Sequence, residues 1–289
     1  MSYLIVSISK MAKLEYRLGN LIIRDPEYRS ICIDDISVLI IESTAVSLTA
    51  SLISELIKKK VKIIFCDEKR NPTGEVLPYY GSHDSSGKIK QQLLWQADIK
   101  EKVGRELIKE KIRKQGQLIK KHNLTTGEII EQMADAVVEF DKTCREAHAA
   151  KLYFREIFGI NFNRVSSTPI NACLNYGYTL LLSLINKKVV ATGYLTQIGL
   201  YHRNDSNPFN LSCDLIEPWR VLVDAQVKKM NPQTLDKTEK LELLTLLTRE
   251  VSLAGKKYRV ENAIDVYIRS VFNALENKDI SQIRFWQTT

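Results

Sequence analysis

The sequence has no two cysteines at short spacing: its cysteines, Cys32, Cys66, Cys144, Cys173 and Cys213, are scattered through 289 residues. Without a Cys-x-x-Cys pair the usual zinc-ribbon spacings are excluded, and an odd, dispersed set argues against a disulfide scaffold. All but Cys213 fall in apolar or helical patterns, where a free thiol behaves as a small hydrophobe. No apolar run approaches the ~18 residues needed to cross a bilayer. The opening residues, Met1 to Lys10, carry no basic leader and no cleavage site and read as a strand, so no secretory signal is expected. Internal repeats and low-complexity tracts are absent. The expectation is a reduced, cytoplasmic protein with no membrane attachment.

What is present is ordinary in amount and uneven in charge. Hydrophobic residues make up 44% and charged residues 26%, as in soluble globular proteins. The length suffices for one large or two modest cores. A formal charge of +8 and a pI near 9.1 favour acidic partners, nucleic acid among them.

Along the chain, residues 2–9 read as a strand, and residues 13–24 as a hairpin turning at Gly19-Asn20. Ile31 to Ile41 supplies one or two further strands. Leu48, Leu52, Ile53 and Leu56 then recur at helical spacing before a short buried strand, Val61 to Cys66. A β-rich domain with one packed helix is therefore expected over residues 1–78. Pro, Gly and Ser cluster over 71–87, which predicts loop or linker, placed at 79–90; His83 within it reads as a solvated loop histidine.

From there to residue 289 the pattern predicts a larger, all-helical domain, giving a two-domain α+β protein. Residues 99–122 carry nine Lys/Arg against three Glu, with Val103, Leu107, Ile108, Ile112, Leu118 and Ile119 on the buried side. Mixed charges ordinarily make a solvated face; the positive excess tilts the reading toward a surface that tracks phosphates. A long helix is expected over about 128–158. Within it Glu146 precedes a small and apolar stripe of Ala149, Ala150, Tyr153 and Ile157, a face on which a lone charge is costly unless paired. His148 lies elsewhere on that helix. Thr168-Pro169 opens a further helix, and 237–252 and 257–277 supply two more. The tail, Arg284 to Thr289, with Phe285 and Trp286, reads either as a docking segment or as a folded-back end.

The stretch over 193–220 is the richest in chemistry. An apolar run leads to His202, a polar loop follows from Arg203 to Asn210, and a helix begins that carries Asp214 and Glu217. Three residues apart, these carboxylates share a helical face. Ser212 or Asp214 would suit an N-cap, and Asp214-x-x-Glu217 has the form of a capping box, with Pro218 tolerable in a first turn. An imidazole followed by two carboxylates suits a hard divalent ion such as Mg²⁺ or Mn²⁺ better than structural zinc. Spacing alone does not separate that reading from a surface histidine and a dipole-serving acidic pair.

Gly199-Leu200-Tyr201-His202, followed by Phe209-Asn210-Leu211-Ser212-Cys213-Asp214-Leu215-Ile216-Glu217-Pro218-Trp219-Arg220, resembles the signature of the CRISPR spacer-acquisition integrases, the Cas1 family, and more narrowly its type II form. Arg145-Glu146-Ala147-His148 through Phe154, Asn171 through Asn175-Tyr176-Gly177-Tyr178, and Ile64-Phe65-Cys66-Asp67-Glu68 agree in order and spacing over nearly the whole chain. The resemblance implies that Glu146, His202 and Glu217 are the catalytic ligands of Mg²⁺ or Mn²⁺. It gives Asp214, Asn175 and Tyr176 supporting positions; Arg203 and Arg220, beside the site, are candidate DNA contacts. The implied reaction joins a DNA 3′-hydroxyl to a phosphodiester at a CRISPR repeat end, with endonuclease cleavage as its hydrolytic relative.

Also implied are a homodimer formed through the β-rich domain and the small ferredoxin-like partner of the adaptation complex, Cas2. The implied substrates are double-stranded prespacer and repeat DNA. In type II systems the effector nuclease and a ring-shaped accessory protein join them. Two other readings stand beside this one: a metal-dependent nuclease or resolvase acting on branched DNA, and a non-catalytic basic DNA-binding scaffold.

Overall fold

The structure is a computed structural model and describes residues 4–78, 82, 84–138, 141 and 144–287. Outside those residues lie His83, part of the expected linker (Tyr79 to Gly81), Ser2 and Tyr3 of the first strand, and Thr288 and Thr289 of the tail. The chain divides into two compact units, Met1–Tyr79 and Tyr80–Thr289.

The strands of the first unit, β-rich as expected, form two four-stranded sheets. One runs β1 (Leu4–Ile8), β5 (Ile36–Ile41), β7 (Lys62–Cys66) and β8 (Pro72–Val76), parallel except for the last strand. Every residue of β5 is buried, which explains its unbroken apolar run: a parallel strand covered on both faces has no polar side to alternate with. The other sheet runs β4 (Tyr28–Cys32), β3 (Asn20–Arg24), β2 (Ala12–Arg17) and β6 (Val46–Leu48). Its hairpin turns on Leu18 and Gly19, with φ of 47° and 81°, the positive pair that a two-residue turn requires. Helix α1 (Ala50–Lys58), capped by the Thr49 hydroxyl, buries Leu52 and Leu56 in the shared core. The loop expected from residue 71 is instead strand β8 at a sheet edge, where Pro72 as first residue breaks no ladder bond.

The second unit is mainly helical: α2 (Ser85–Leu93), α3 (Ala97–Lys120), α4 (Leu124–Asp135), α5 (Arg145–Phe158), α6 (Pro169–Ala191), α7 (Asn210–Ile216), α8 (Arg220–Met230), α9 (Lys237–Leu244) and α10 (Val260–Asn277). Helix α2 starts inside the stretch expected as linker. The unit is not all-helical: β9 (Glu250–Leu253) pairs with β10 (Lys256–Arg259) and with β11 (Trp286–Gln287) in a three-stranded sheet. The tail is thereby folded back, with Trp286 buried, stacked on Trp219, and donating its indole N–H to the Pro218 carbonyl at 3.0 Å.

The helix expected over 128–158 is two helices. Cys144, at φ 53°, breaks the run before α5, and the Asp141 carboxylate accepts from the backbone N–H groups of Arg145 and Glu146. Glu139, Phe140, Lys142 and Thr143 lie outside the described residues. Glu146 thus stands in the first turn of α5, where the helix dipole favours a carboxylate, and Ala149, Tyr153 and Ile157 form the expected buried stripe.

Candidate active site

Three elements of the second unit bring the site together: α3, the start of α5, and the segment from Thr196 through α8. Helix α7 begins at Asn210, with Phe209 at its cap, so Asp214 lies in its body and forms no capping box. Pro218 lacks the N–H that would continue the ladder, and the axis tightens into one 3-10 turn over Glu217–Trp219 before α8. That turn parts the two carboxylates, so Asp214 and Glu217 serve different neighbours.

Asp214, fully buried at 0% exposure, holds the loop before it. Its oxygens accept from the backbone N–H groups of Leu200, of Tyr201 at 3.4 Å and of His202 at 3.1 Å. They also meet His202 Nδ1 at 2.5 Å, which leaves Nε2 as the ring nitrogen not committed to Asp214. Gly199 permits this wrap: a Cβ there would stand 2.6 Å from the His202 carbonyl oxygen and 2.8 Å from Asp214 Oδ2. Asn210 braces the polar loop, its amide donating to the carbonyls of Gln197 at 3.2 Å and Asn204 at 2.9 Å. The hydrogen bond to Asp214 raises the His202 pKa against the opposing pull of burial; the Asp214, Glu217 and Glu146 charges add to the rise. Burial pushes the Asp214 carboxyl up, only partly offset by His202.

Glu217 faces the other way. Its Oε1 accepts from Arg220 Nε at 2.8 Å, and its Oε2 lies 2.5 Å from Lys111 Nζ. The same ammonium stands 2.5 Å from Glu146 Oε1. Two carboxylates, from α5 and from the turn after α7, therefore converge on one cation supplied by α3. Burial would lift the Glu217 pKa, but the Lys111 and Arg220 charges outweigh it and hold the carboxyl at about 2. Burial works against the charged Lys111 ammonium, and Glu217 and Glu146 outweigh it, so its pKa is raised. A cavity of about 260 Å³ opens on this cluster, lined by Lys111, Glu217, Arg220, Arg164, Tyr178 and Asp224 among others. Asp224 accepts from the hydroxyls of Tyr153, at 2.9 Å, and Tyr178, and burial pushes its carboxyl up to about 6.

The predicted site residues are thus only partly one cluster. Glu146 and Glu217 share Lys111, and His202, tied to Asp214, feels both their charges. Asn175 is exposed and accepts from Arg164 at 2.6 Å; both line a neighbouring cavity of about 300 Å³, and Arg164 also lines the one beside Glu217. Tyr176 is buried with the Lys240 ammonium 5.4 Å from its ring centre and lines neither cavity; the tyrosine of that motif that reaches the site is Tyr178. Arg220 is an ion-pair partner of Glu217 and lies 4.8 Å over the Tyr178 ring, while Arg203 is exposed in the polar loop.

Lys111, Arg164 and Asp224, which line the cavity, are not among the residues the sequence singles out. Lys111 carried a signal: four residues after Leu107 and three after Ile108, it falls on the apolar stripe of α3. On α3, where a phosphate-tracking surface is expected, Lys102, Arg105, Lys109, Arg113, Lys114 and Lys120 each lie within 3.8 Å of an acidic side chain, and Lys114 is 4% exposed.

The donor set suits a hard divalent ion: two carboxylates and an imidazole whose other nitrogen is tied to an aspartate. The Lys111 ammonium, held at 2.5 Å by both carboxylates, marks a cation position between them. As they stand, no three His, Cys, Asp or Glu side chains among the described residues are grouped to hold a metal ion. The residues fit the ion in kind, and the position between the carboxylates is held by the ammonium.

The model of the family described as CRISPR associated protein Cas1 matches residues 5–243. The CRISPR-associated endonuclease Cas1 of Neisseria meningitidis is 31% identical over 284 residues, covering 96% of this chain and 93% of that protein. The chain belongs to the Cas1 family. A Pyrobaculum aerophilum Cas1 is 25% identical across 94% of this chain and 98% of its own. Among solved structures, a casposase bound to integration product aligns at TM-score 0.78 and 19% identity, over 97% of this chain and 92% of that one. A Thermotoga maritima Cas1 protein aligns at 0.72 and 14%, over 95% and 97%. The fold is thus that of Cas1. Glu146, His202, Asp214 and Glu217 all fall within the matched Cas1 span; helix α10 and the C-terminal sheet lie beyond it.

Proposed function

We propose that this protein is a CRISPR adaptation integrase: it joins prespacer 3′-hydroxyl ends to phosphodiesters at the CRISPR repeat in a divalent-metal-dependent transesterification. Endonucleolytic cleavage follows when water takes the place of the hydroxyl. The observation that carries this reading is the convergence of Glu146 and Glu217 on one cation position, with His202 held beside them by Asp214, in a member of the Cas1 family. The Neisseria relative is named an endonuclease, and the casposase that shares the fold is bound to an integration product.

Glu146, Glu217 and His202 Nε2 would hold Mg²⁺ or Mn²⁺, with Asp214 fixing the imidazole through Nδ1. When bound, such an ion supplies charge neutralisation at the phosphate and acidity for the attacking hydroxyl. The chain contributes the rest. Arg220 and Arg164 bring guanidinium groups to the cavity beside Glu217, where they suit phosphate oxygens. Tyr178 sits between them, 4.8 Å and 5.3 Å from their centres, and keeps both oriented. Asp224, whose carboxyl burial pushes up to about 6, accepts from the Tyr178 and Tyr153 hydroxyls and so fixes the Tyr178 ring beside the two guanidinium groups.

The substrates in this reading are prespacer and repeat DNA. The assembly is a homodimer paired through the β-rich unit and joined to Cas2, with the type II effector nuclease and ring-shaped accessory protein as further partners. A solved Cas6-RT-Cas1–Cas2 complex, about a third (35%) of one chain of which shares the fold of 96% of this one at TM-score 0.76 and 16% identity, supports the Cas2 partnership. No helix among the described residues is long and apolar enough to cross a membrane.

The test is joining of a 3′-hydroxyl duplex to a repeat-bearing plasmid by the purified protein with Cas2 and Mn²⁺. Glu217→Gln and His202→Ala are expected to lower joining by at least ~100-fold, the scale of losing one interaction with the reacting charge, while DNA binding persists. Nicking without joining by the parent would establish a nuclease or resolvase, and binding with neither would establish a scaffold.

A further inference from the structure

We propose that Lys111 is a built-in counter-ion: it holds Glu146 and Glu217 together while no divalent ion is bound, and such an ion enters by displacing its ammonium into the adjoining cavity. The inference rests on the reading that those two carboxylates hold the metal.

Three observations carry it. First, Lys111 Nζ stands 2.5 Å from an oxygen of each carboxylate. Two carboxylates brought this close repel unless a cation lies between them. Second, the lysine is enclosed, its side chain 14% exposed and that of Glu217 5%, so this pairing is not the loose surface kind that water screens away. A divalent ion and the ammonium compete for the same oxygens.

Third, there is a destination. Gln115 lies one helical turn after Lys111 on α3 and lines the same cavity. It is 4% exposed, and its Oε1 is buried without a hydrogen-bond partner among the described residues. A buried carbonyl oxygen left unpaired is costly. The flexible four-carbon stem of lysine lets the ammonium exchange its two carboxylates for that oxygen. There it joins Arg164 and Arg220 on the wall facing the open cavity. Metal entry therefore adds a positive charge where a phosphate would dock, coupling metal binding to DNA binding.

The test titrates Mn²⁺ into DNA-free protein, following free Mn²⁺ by electron paramagnetic resonance, and then measures affinity for a 3′-deoxy duplex with and without Mn²⁺. Lys111→Met is expected to bind Mn²⁺ at least tenfold tighter than the parent and to lose most of the Mn²⁺-induced gain in DNA affinity. Gln115→Met leaves the ion pairs in place but removes the waiting acceptor, and is expected to weaken Mn²⁺ binding threefold or more. It decides the matter should the Lys111 variant not fold. Mn²⁺ affinity unchanged in Gln115→Met, or no tighter in Lys111→Met, overturns the inference while leaving the site assignment intact. Parent binding that Glu217→Gln does not reduce overturns the site assignment and the inference with it.

Discussion

At the scale of single residues, the pairing of His202 with Asp214 makes a prediction about pH. The hydrogen bond to Asp214, above all, raises the imidazole pKa over its ordinary value of about 6.5. Because the folded value exceeds the unfolded one, the stability this pair contributes is fully present below about pH 6.5 and is lost as pH rises through the raised value. The same proton blocks ligation, since an imidazolium has no lone pair to offer a metal. Mn²⁺ affinity is therefore expected to climb with pH in the window above about 6.5, and His202→Gln to flatten that climb. Titration of both proteins between pH 6 and 9 checks it; an unchanged slope in the variant removes His202 from the ligand set.

Glu146, His202 and Glu217 were visible as candidates in the sequence because each sits in a long motif of unusual residues. Lys111 was not, because a lysine on a helix dense in glutamate reads as solvated charge, and what fixes its place is the approach of α5 and the turn at Pro218 from elsewhere in the chain. The pattern hides the cavity-lining place of Tyr178 for a related reason. Helix α6 is apolar on nearly every side, so its pattern does not say which tyrosine of the motif faces the carboxylates.

At the scale of elements, the close crossing of α6 and α8 sets where Tyr178 and Asp224 meet. Gly177 makes the crossing possible: a Cβ there would lie 2.5 Å from Val223 Cγ1 and 3.2 Å from its Cγ2. Gly177→Ala is expected to destabilise the fold by ~1–3 kcal/mol through overpacking. Val223→Ala in the same chain removes both contacting methyls, so the double variant should be more stable than the sum of the single effects predicts. Thermal and urea unfolding of the four proteins closes the cycle, and strict additivity would mean that the helices part rather than press together.

Alternation and periodicity revealed most of these elements, the first hairpin and α10 among them. They failed where the deciding force was not periodic. The break before α5 depends on positive φ at Cys144 and on the Asp141 carboxylate, neither of which disturbs the helical pattern on either side. The strands β9 and β10 are four residues each, too short to set a period, and their third partner comes from a tail more than twenty-five residues away.

At the scale of the whole molecule, a net charge of +8 does not say which surface meets DNA, and several basic residues of α3 are engaged with carboxylates of the second unit. A cation that takes up a phosphate releases about one counter-ion. Lys102, on α3, and Arg203, in the loop after His202, make the comparison. Arg203→Ala is expected to weaken duplex binding and to reduce the slope of log affinity against log salt by about 1, the contribution of a single phosphate contact. Lys102→Ala should change the affinity less than twofold and leave the slope alone. Binding measured from low to physiological salt separates the two, and equal losses would restore α3 as the surface that follows the DNA backbone. The outcome also bears on the site, because a phosphate held by Arg203 is one placed beside His202, on the loop that Asp214 ties down.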